Sequence, residues 1–570
     1  MNLNLKAKQE NTYDAIVIGS GISGGWAAKE LSEKGLKTLV LERGRDVKHL
    51  DYPTANLDPW DLPNRDKIGE QEKERQAKQS RTGYCTTPSR KHWFVDDIDN
   101  PYSEVKRFDW IRGYHVGGRS LMWGRQSYRL SDLDFEANAK EGIAVDWPIR
   151  YKDIAPWYDY VEQYIGVSGH NEGLAQLPDG KFMPPMELNC VEKHTRARMQ
   201  KAFKHLMMTN GRTAHITKQG GHNGRGTCQF RNRCMRGCPF GGYFSSNAST
   251  LPAAAASGNM TLRPFSIVNS IIFDEEKGKA IGVRIIDAET KKTYEYFSKI
   301  IFTCASALNS TFILMNSKSK RFPNGLGNDS GELGHNVMDH HFKVGAGGTF
   351  DGFGDKYYKG RRPSGFYIPR ATNLGDRESR QKDFVRGYGY QGSASRSNWT
   401  RTVKELSFGS KMKLDMFEPG PWRMGMTAFG ECLPYHENHI KLNEDVRDKW
   451  GQATLTMDVE WKENEMSMRK HMKQTAIDIL EAAGFKNISG YESECYPGLG
   501  IHEMGTARMG RNPKTSILNG FNQVHTAKNV FVTDGAAMTS AGCQNPSLTY
   551  MALTARACDH AVKELNKQNL

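Results

Sequence analysis

Two groups of residues in this 570-residue chain have the types and spacing to do chemistry. The first is split between two loops, His502-Glu-Met-Gly-Thr506-Ala-Arg-Met-Gly510 and Gln544-Asn545-Pro546. Each is shaped by Gly or Pro, and between them Asn529-Val-Phe-Val-Thr-Asp534-Gly535 reads as a strand ending in a turn. An imidazole changes charge near neutral pH and suits the proton of an alcohol. A carboxamide can orient the same hydroxyl without competing for that proton. The second group is Cys228-Gln-Phe-Arg-Asn-Arg-Cys234-Met-Arg-Gly-Cys238-Pro239. Thiolates favour iron–sulfur or zinc. Zinc normally wants four ligands and no fourth Cys is close, which leaves His222 or a distant residue. Three thiolates suit a [3Fe–4S] centre, whose negative charge Arg225, Arg231, Arg233 and Arg236 could offset. Free thiols, a disulfide and a structural zinc are the competing readings.

These groups need elements to position them, and the N-terminus supplies the clearest. Tyr13-Asp-Ala-Ile-Val-Ile18 is an apolar run suited to a buried parallel strand. Gly19-Ser-Gly21-Ile-Ser-Gly24 follows, and then the helical pattern Trp26-Ala-Ala-Lys-Glu-Leu31. Such a turn brings backbone N–H groups and a helix N-terminus to a pyrophosphate. The strand Lys37-Thr-Leu-Val-Leu41 ends in Glu42, placed for a ribose diol. The strand, helix and acid at these distances make a dinucleotide site, and the acid favours FAD or NAD over NADP. Further on, Gly117-Gly118-Arg-Ser120-Leu-Met122 offers backbone donors and close approach, which can hold a pyrophosphate and a flavin edge. A structural Gly turn is the alternative reading of that loop.

A net charge of +14 is compatible with nucleic acid, an acidic partner or an anionic surface. No nucleic-acid motif accompanies it, so a generally basic surface is expected. The mean hydropathy of -0.65 and the lack of a long apolar stretch argue against a transmembrane helix. Residues 1–12 show no hydrophobic region, twin arginine or cleavage site, so a cytoplasmic location is the default expectation. The ten Cys do not space like a secreted disulfide framework.

On these motifs the chain resembles the glucose–methanol–choline (GMC) family of flavin oxidoreductases. The resemblance runs through Gly19/Gly21/Gly24 with Glu42, the Gly117-Gly118 loop, Ala305 to Met315, Gly334-His-Asn-Val-Met-Asp339-His340 and the C-terminal loops. Within the family it looks nearest the sugar-oxidising branch of pyranose oxidases, gluconate and fructose dehydrogenase large subunits and glucoside 3-dehydrogenases. Asp146-Trp-Pro-Ile-Arg and the following residues to Tyr158 share that look. The resemblance implies FAD, with His502 as the base and Asn545, followed by Pro546, as its partner. It implies that Asp534 and Gly535 contact the ribityl–pyrophosphate arm. His340, His341 and His525 are read as structural or cofactor-adjacent, and Cys543 as a candidate lining residue. Pyranose oxidases carry a flavin-linked His where this chain has Met122, so dissociable FAD is expected. The Cys228, Cys234 and Cys238 spacing resembles large subunits that carry a [3Fe–4S] cluster, which implies a small subunit and a cytochrome or other acceptor. Export alongside a signal-bearing partner would then make the location periplasmic.

The implied reaction is oxidation of a secondary hydroxyl of a pyranose or glycoside, at C3 by analogy. A pyranose oxidase using oxygen, and a polyol, gluconate or choline-like alcohol dehydrogenase, are the alternative enzymes. A non-catalytic flavoprotein and a nicotinamide enzyme are the other classes. The implied fold class is α/β: a Rossmann-type FAD-binding domain with a discontinuous substrate domain on an antiparallel sheet. The FAD domain is expected over 10–50, 105–140, 222–345 and 500–570, and the substrate domain over 140–221 and 346–499. Residues 51–104 read as an irregular excursion, a lid or partner contact. Leu406-Ser-Phe and Ala453 to Val459 read as strands of an antiparallel sheet, Glu463 to Ala483 as a helix, and Leu548 to Glu564 as a final helix capped by Ser547 and Thr549.

Overall fold

The structure is a computed structural model and describes residues 11–58, 60–357, 363–396, 408–417 and 420–570. The apolar run after Asn11 forms strand β1 (Thr12–Ile18) at the centre of an eight-stranded sheet. It is flanked by β2 (Thr38–Leu41) and β8 (Thr293–Thr303), both parallel to it. Beyond β2 lies β5 (Met260–Arg263), also parallel. On the far side of β8 the C-terminal half pairs with parallel β17 (Ala527–Val532), which carries the short antiparallel β16 (Gln523–Val524). The N-terminal half of β8 pairs instead with the hairpin of β6 (Ser266–Asp274) and β7 (Lys279–Asp287). Both ends of the chain therefore enter one sheet.

Helix α1 (Ile22–Glu33) leaves β1 through the Gly19–Gly24 turn. Gly24 is required here: a Cβ on it would lie 2.0 Å from the Gly19 carbonyl oxygen. The closing helix, α5 (Ser547–Asn566), packs on α1 and on α2 (Tyr151–Ile165). Helix α2 buries Ile154, Tyr158, Val161 and Ile165 at helical spacing and ends at Gly166 in the left-handed conformation. Burial of each large apolar side chain is worth about 1.5–3 kcal/mol. The Arg129–Glu162 pair, 2.6 Å apart and fully enclosed, fixes the same helix to residue 129.

The second sheet has six antiparallel strands in the order β15-β9-β12-β11-β10-β4. They are β4 (Thr209–Asn210), β9 (His341–Phe350), β10 (Phe366–Ile368), β11 (Tyr388–Arg396), β12 (Trp422–Gly430) and β15 (Lys486–Glu492). Helix α4 (Glu463–Ala482) covers one face, with Met468, Met472, Ala476 and Ile479 against Val344, Ala346, Met424 and Ala428. Helix α3 (Ala307–Asn316) packs on β6 and belongs to the larger core.

The helices expected near 463–483 and 548–564 are present. The expected caps are not. Pro546 occupies the cap of α5, Ser547 is already helical, and the Thr549 hydroxyl bonds Tyr158. The strand expected at 453–459 is present and has an antiparallel partner, but not in the six-stranded sheet. As β14 (Ala453–Asp458) it pairs with β13 (His439–Arg447) and with β3 (Ser103–Glu104) in a separate three-stranded sheet. Its hairpin partner and the excursion claim its edges, so it has none for the larger antiparallel sheet. The strand expected at Leu406-Ser-Phe lies at residues 406–407 outside the described residues, and Phe408 is exposed coil. Among the described residues no helix is long and apolar enough to cross a membrane.

Candidate active site

A cavity of about 380 Å³ opens between the two sheets. Its wall includes Gly19, Ser20, Gly21, Glu42, Gly118, Ser120, Met122, His502, Asp534, Gly535 and Asn545, so eleven of the residues expected from the sequence or lying beside one converge. Gly24, Gly117 and Pro546 do not line it. Gly117 adopts the left-handed conformation (φ 85) and donates its N–H to the Ser20 hydroxyl, which ties the Gly-Gly loop to the fingerprint turn. A side chain there would strike Asn247. Cys543 is buried near Tyr367 and does not reach the cavity. Tyr84 and Phe94 from the 51–104 excursion do line it, so that segment covers the cavity.

The residues fit FAD. The fingerprint turn and the start of α1 would hold the pyrophosphate. Glu42 has one oxygen on Ser20 and the other on the Gly44 N–H, with lone pairs left over for a ribose diol. Burial pushes its carboxyl upward. Arg112 supplies a signal that sequence reasoning missed. It is only 4% exposed, lines the cavity, and its Nε and Nη2 have no partner. The guanidinium stacks on Trp110, 4.3 Å from the ring centroid, but that face-on contact leaves its N–H groups without acceptors, which an anion would supply. The buried Tyr550 hydroxyl on the same wall is also unpartnered. Asp534 has both oxygens engaged, by the Ser310 hydroxyl and the Ala536 N–H, and burial pushes it up to about 6.

His502 is placed by a carboxylate two segments away. Oδ1 of Asp339 accepts the N–H groups of His340 (2.8 Å) and His502 (3.0 Å), and Oδ2 accepts those of Gly498 (2.9 Å) and Gly500 (3.0 Å). Burial and then the neighbouring Glu503 push Asp339 up to about 7. This anchor holds Ile501 at φ 61, a costly conformation for a branched residue, and turns the His502 ring into the cavity.

The ring's hydrogen bonds fix its tautomer. His340 Nε2 lies 2.8 Å from the Gly542 carbonyl and must donate to it. Burial holds His340 down to about 4, so it is neutral and its Nδ1 can only accept. His502 Nδ1, 2.9 Å away, is therefore the donor. That leaves the lone pair of His502 Nε2 facing Asn545 Nδ2 at 3.5 Å. Burial, then His340 and Arg119, hold His502 well below the usual imidazole range. The Asn545 amide is oriented too, because its oxygen accepts from Gln391 Nε2 at 2.6 Å. The pair thus presents one acceptor and one donor side by side, the complement of a hydroxyl group. His340 is a direct partner of the base, beyond the structural or cofactor-adjacent role read from the sequence. His341 is buried at the start of β9, and His525 bonds Ser516 away from the site.

The three cysteines lie elsewhere. Cys228, Cys234 and Cys238 are reduced and part-buried around a separate cavity of about 30 Å³, with His215 Nε2 3.8 Å from Cys234 Sγ. Among the described residues no three His, Cys, Asp or Glu side chains are grouped to hold a metal ion. Burial pushes the Cys228 thiol up to about 11. Three of the arginines expected to offset cluster charge have protein partners instead: Arg231 bonds the Ala55 carbonyl, Arg233 pairs with Asp58 and Arg236 bonds the Leu57 carbonyl, while Arg225 bonds the Ile165 carbonyl and keeps its Nε and Nη1 without partners. As folded, the loop does not fit the expected cluster. It clamps the excursion, and through Met235 it forms part of the main cavity wall.

Comparison with known proteins agrees with this geometry. Residues 13–342 and 434–554 match the two family models described as GMC oxidoreductase. A 2-methyl-1,2-propanediol dehydrogenase from Mycolicibacterium austroafricanum is 27% identical, over 96% of this chain and 94% of its own. A fructose dehydrogenase large subunit from Gluconobacter japonicus is 25% identical, over 97% and 98%. Pyridoxine 4-oxidase from Mesorbium loti superposes with a TM-score of 0.58 at 14% identity, over 96% and 99%.

Proposed function

The chain belongs to the GMC oxidoreductase family of FAD-type enzymes acting on CH–OH groups, and from that premise we propose that it is a sugar dehydrogenase. In this reading it oxidises a secondary hydroxyl of a pyranose or glycoside to a ketone, with C3 as the position suggested by resemblance to glucoside 3-dehydrogenases. The hydroxyl proton goes to His502. When bound, FAD supplies the hydride acceptor. Asn545 Nδ2 donates to the substrate oxygen while His502 Nε2 accepts its proton, and Gln391 keeps the amide from flipping. Tyr84 and Phe94 keep water from the cavity. FAD is held without a covalent link, because the thioether of Met122 on the wall cannot form one. The 25% identical relative that is named a large subunit supports a partner chain as electron acceptor. The expected iron–sulfur relay through Cys228, Cys234 and Cys238 is not carried into this reading, because their loop does not fit it.

The observation that carries the proposal is the His502 Nε2 lone pair set 3.5 Å from an amide donor whose other end is fixed. The test is anaerobic flavin reduction by a panel of pyranoses, glycosides and simple polyols. His502→Ala should slow reduction by about 10²–10⁴-fold while FAD stays bound. Undiminished reduction in this variant would refute the assignment, and reduction by polyols alone would refute the sugar.

A further inference from the structure

The loop that carries Asn545 rests on a carboxyl group of the short helical turn Asp132–Phe135. Asp134 is 1% exposed, and its Oδ2 accepts three hydrogen bonds: from the Ser131 N–H at 2.7 Å, the Ser131 hydroxyl at 3.0 Å and Gln544 Nε2 at 3.2 Å. Its backbone carbonyl accepts the Ser540 hydroxyl at 3.3 Å. Asp134 thus holds both ends of the segment 540–544, whose Gly542 carbonyl fixes His340 and whose next residue is Asn545. The other oxygen of each partner has no donor. Asp134 Oδ1 and Gln544 Oε1 are both enclosed, and neither has a hydrogen-bond partner among the described residues. They face the same point over Gly542, where a Cβ would lie 2.7 Å from Oε1 and 3.5 Å from Oδ1.

We infer that Asp134 acts as a neutral acid that positions Asn545, closing a ring with the Gln544 amide: Nε2–H to Oδ2 on one side and Oδ1–H to Oε1 on the other. A carboxylate and an amide oxygen are both acceptors, so an ionised Asp134 sets the two against each other in an enclosed space. One proton on Oδ1 satisfies both. Burial pushes the carboxyl up to about 6, with Arg370 opposing the rise and Glu431 adding to it. The bond to Oε1, which only the neutral form makes, raises it further. Arg370 directs Nε and Nη2 at the Thr372 and Asn373 carbonyls, and Glu431 pairs with Arg386 at 3.0 Å. Cys543, Tyr367 and Tyr158 also act on the carboxyl, and burial pushes all three upward, so they stay neutral. The ring steadies the backbone beside Asn545 while Gln391 holds the Asn545 side chain. The inference rests on the role of Asn545 in the proposed oxidation.

The test is anaerobic flavin reduction of the FAD-loaded protein by the fastest substrate of the panel above, followed from about pH 6 to about pH 10. Asp134→Leu keeps the branching and removes both oxygens. It should slow reduction roughly tenfold to a hundredfold with FAD still bound. Asp134→Asn should recover most of the rate, because its amide puts an N–H where the acid has its O–H. The wild-type protein should lose rate on the alkaline side as Asp134 ionises, and Asp134→Asn, which cannot ionise, should lack that limb. Should Asp134→Leu fail to fold, as judged by flavin absorbance and thermal unfolding, Gln544→Met breaks the same ring from the other side and should show the same slowing. Equal loss in Asp134→Leu and Asp134→Asn, or an alkaline limb that persists in Asp134→Asn, would overturn the inference. Wild-type rates in Asp134→Leu or Gln544→Met beside a slow His502→Ala would also overturn it and leave the base assignment standing. An undiminished His502→Ala would instead refute the reaction on which both rest.

Discussion

Replacing His340 by Phe keeps a ring of similar size but removes the acceptor for His502 Nδ1–H. In the folded protein that donor is buried, 2.9 Å from its partner, with no alternative in reach of a neutral His340. Leaving it unmet costs about 1–3 kcal/mol. The imidazole can avoid that cost by moving its proton to Nε2, but Nε2 is then a donor and no longer a base. The reactive tautomer should lose population by a factor corresponding to the same 1–3 kcal/mol. At about 1.4 kcal/mol per tenfold, flavin reduction should slow roughly tenfold to a hundredfold. The assay is stopped-flow reduction of the FAD-loaded variant without oxygen, with the oxidised flavin spectrum confirming that the cofactor site is intact. His340→Gln, whose amide oxygen can accept the same proton, should recover a large part of the rate. A wild-type rate in His340→Phe, or equal loss in both variants, would refute the tautomer argument.

The base must be neutral to act, and burial holds its pKa below that of an ordinary imidazole. The acid limb of kcat/KM should therefore fall below the pH of about 6.5 at which a free imidazole is half protonated. Activity is present above the lowered pKa and lost as pH falls through it, and a midpoint at or above 6.5 would contradict the geometry. Gly24→Ala places a methyl group 2.0 Å from the Gly19 oxygen, so it should destabilise the protein by at least about 1–3 kcal/mol and release FAD. Thermal unfolding and flavin content after gel filtration read both effects. Arg112→Met should act in opposite directions on the two forms. It removes buried N–H groups that lack acceptors, a gain for the apo-protein that exceeds the lost stacking on Trp110, while weakening FAD binding about tenfold or more; unchanged FAD affinity by titration would remove Arg112 from the cofactor site.

The parts of this site that were legible in the sequence are those whose chemistry is local. The fingerprint turn, Glu42, the Gly-Gly loop and the His502 and Asn545 loops each announce themselves within a few residues, because a tight turn or close approach demands Gly or Pro nearby. What was not legible depends on partners brought from afar. His340 has no local mark of its role, which comes from meeting His502 and the Gly542 carbonyl in three dimensions. Gln391 is one more polar residue on a strand until the sheet brings it to Asn545. Arg112 is marked by buried N–H groups without acceptors on the cavity wall, which no sequence displays. The strand at 453–458 was recognisable, but its sheet was not, since pairing is decided by which edges remain open. The cysteine spacing was equally clear, yet spacing alone does not say whether the sulfurs enclose a cluster-sized space.

The central sheet has a consequence for the order of synthesis. Strand β17 completes one edge of β8, and α5 packs on α1, so residues made first wait for residues made last. The fingerprint turn emerges from the ribosome early, but Asp534, Gly535 and Asn545 reach its cavity only when nearly the whole chain is out. Long-range pairing of this kind is slow and leaves apolar strand edges open meanwhile. Cofactor loading is then a late, post-translational event, and a nascent chain stalled before residue 527 would carry the dinucleotide motif without a pocket to keep the dinucleotide.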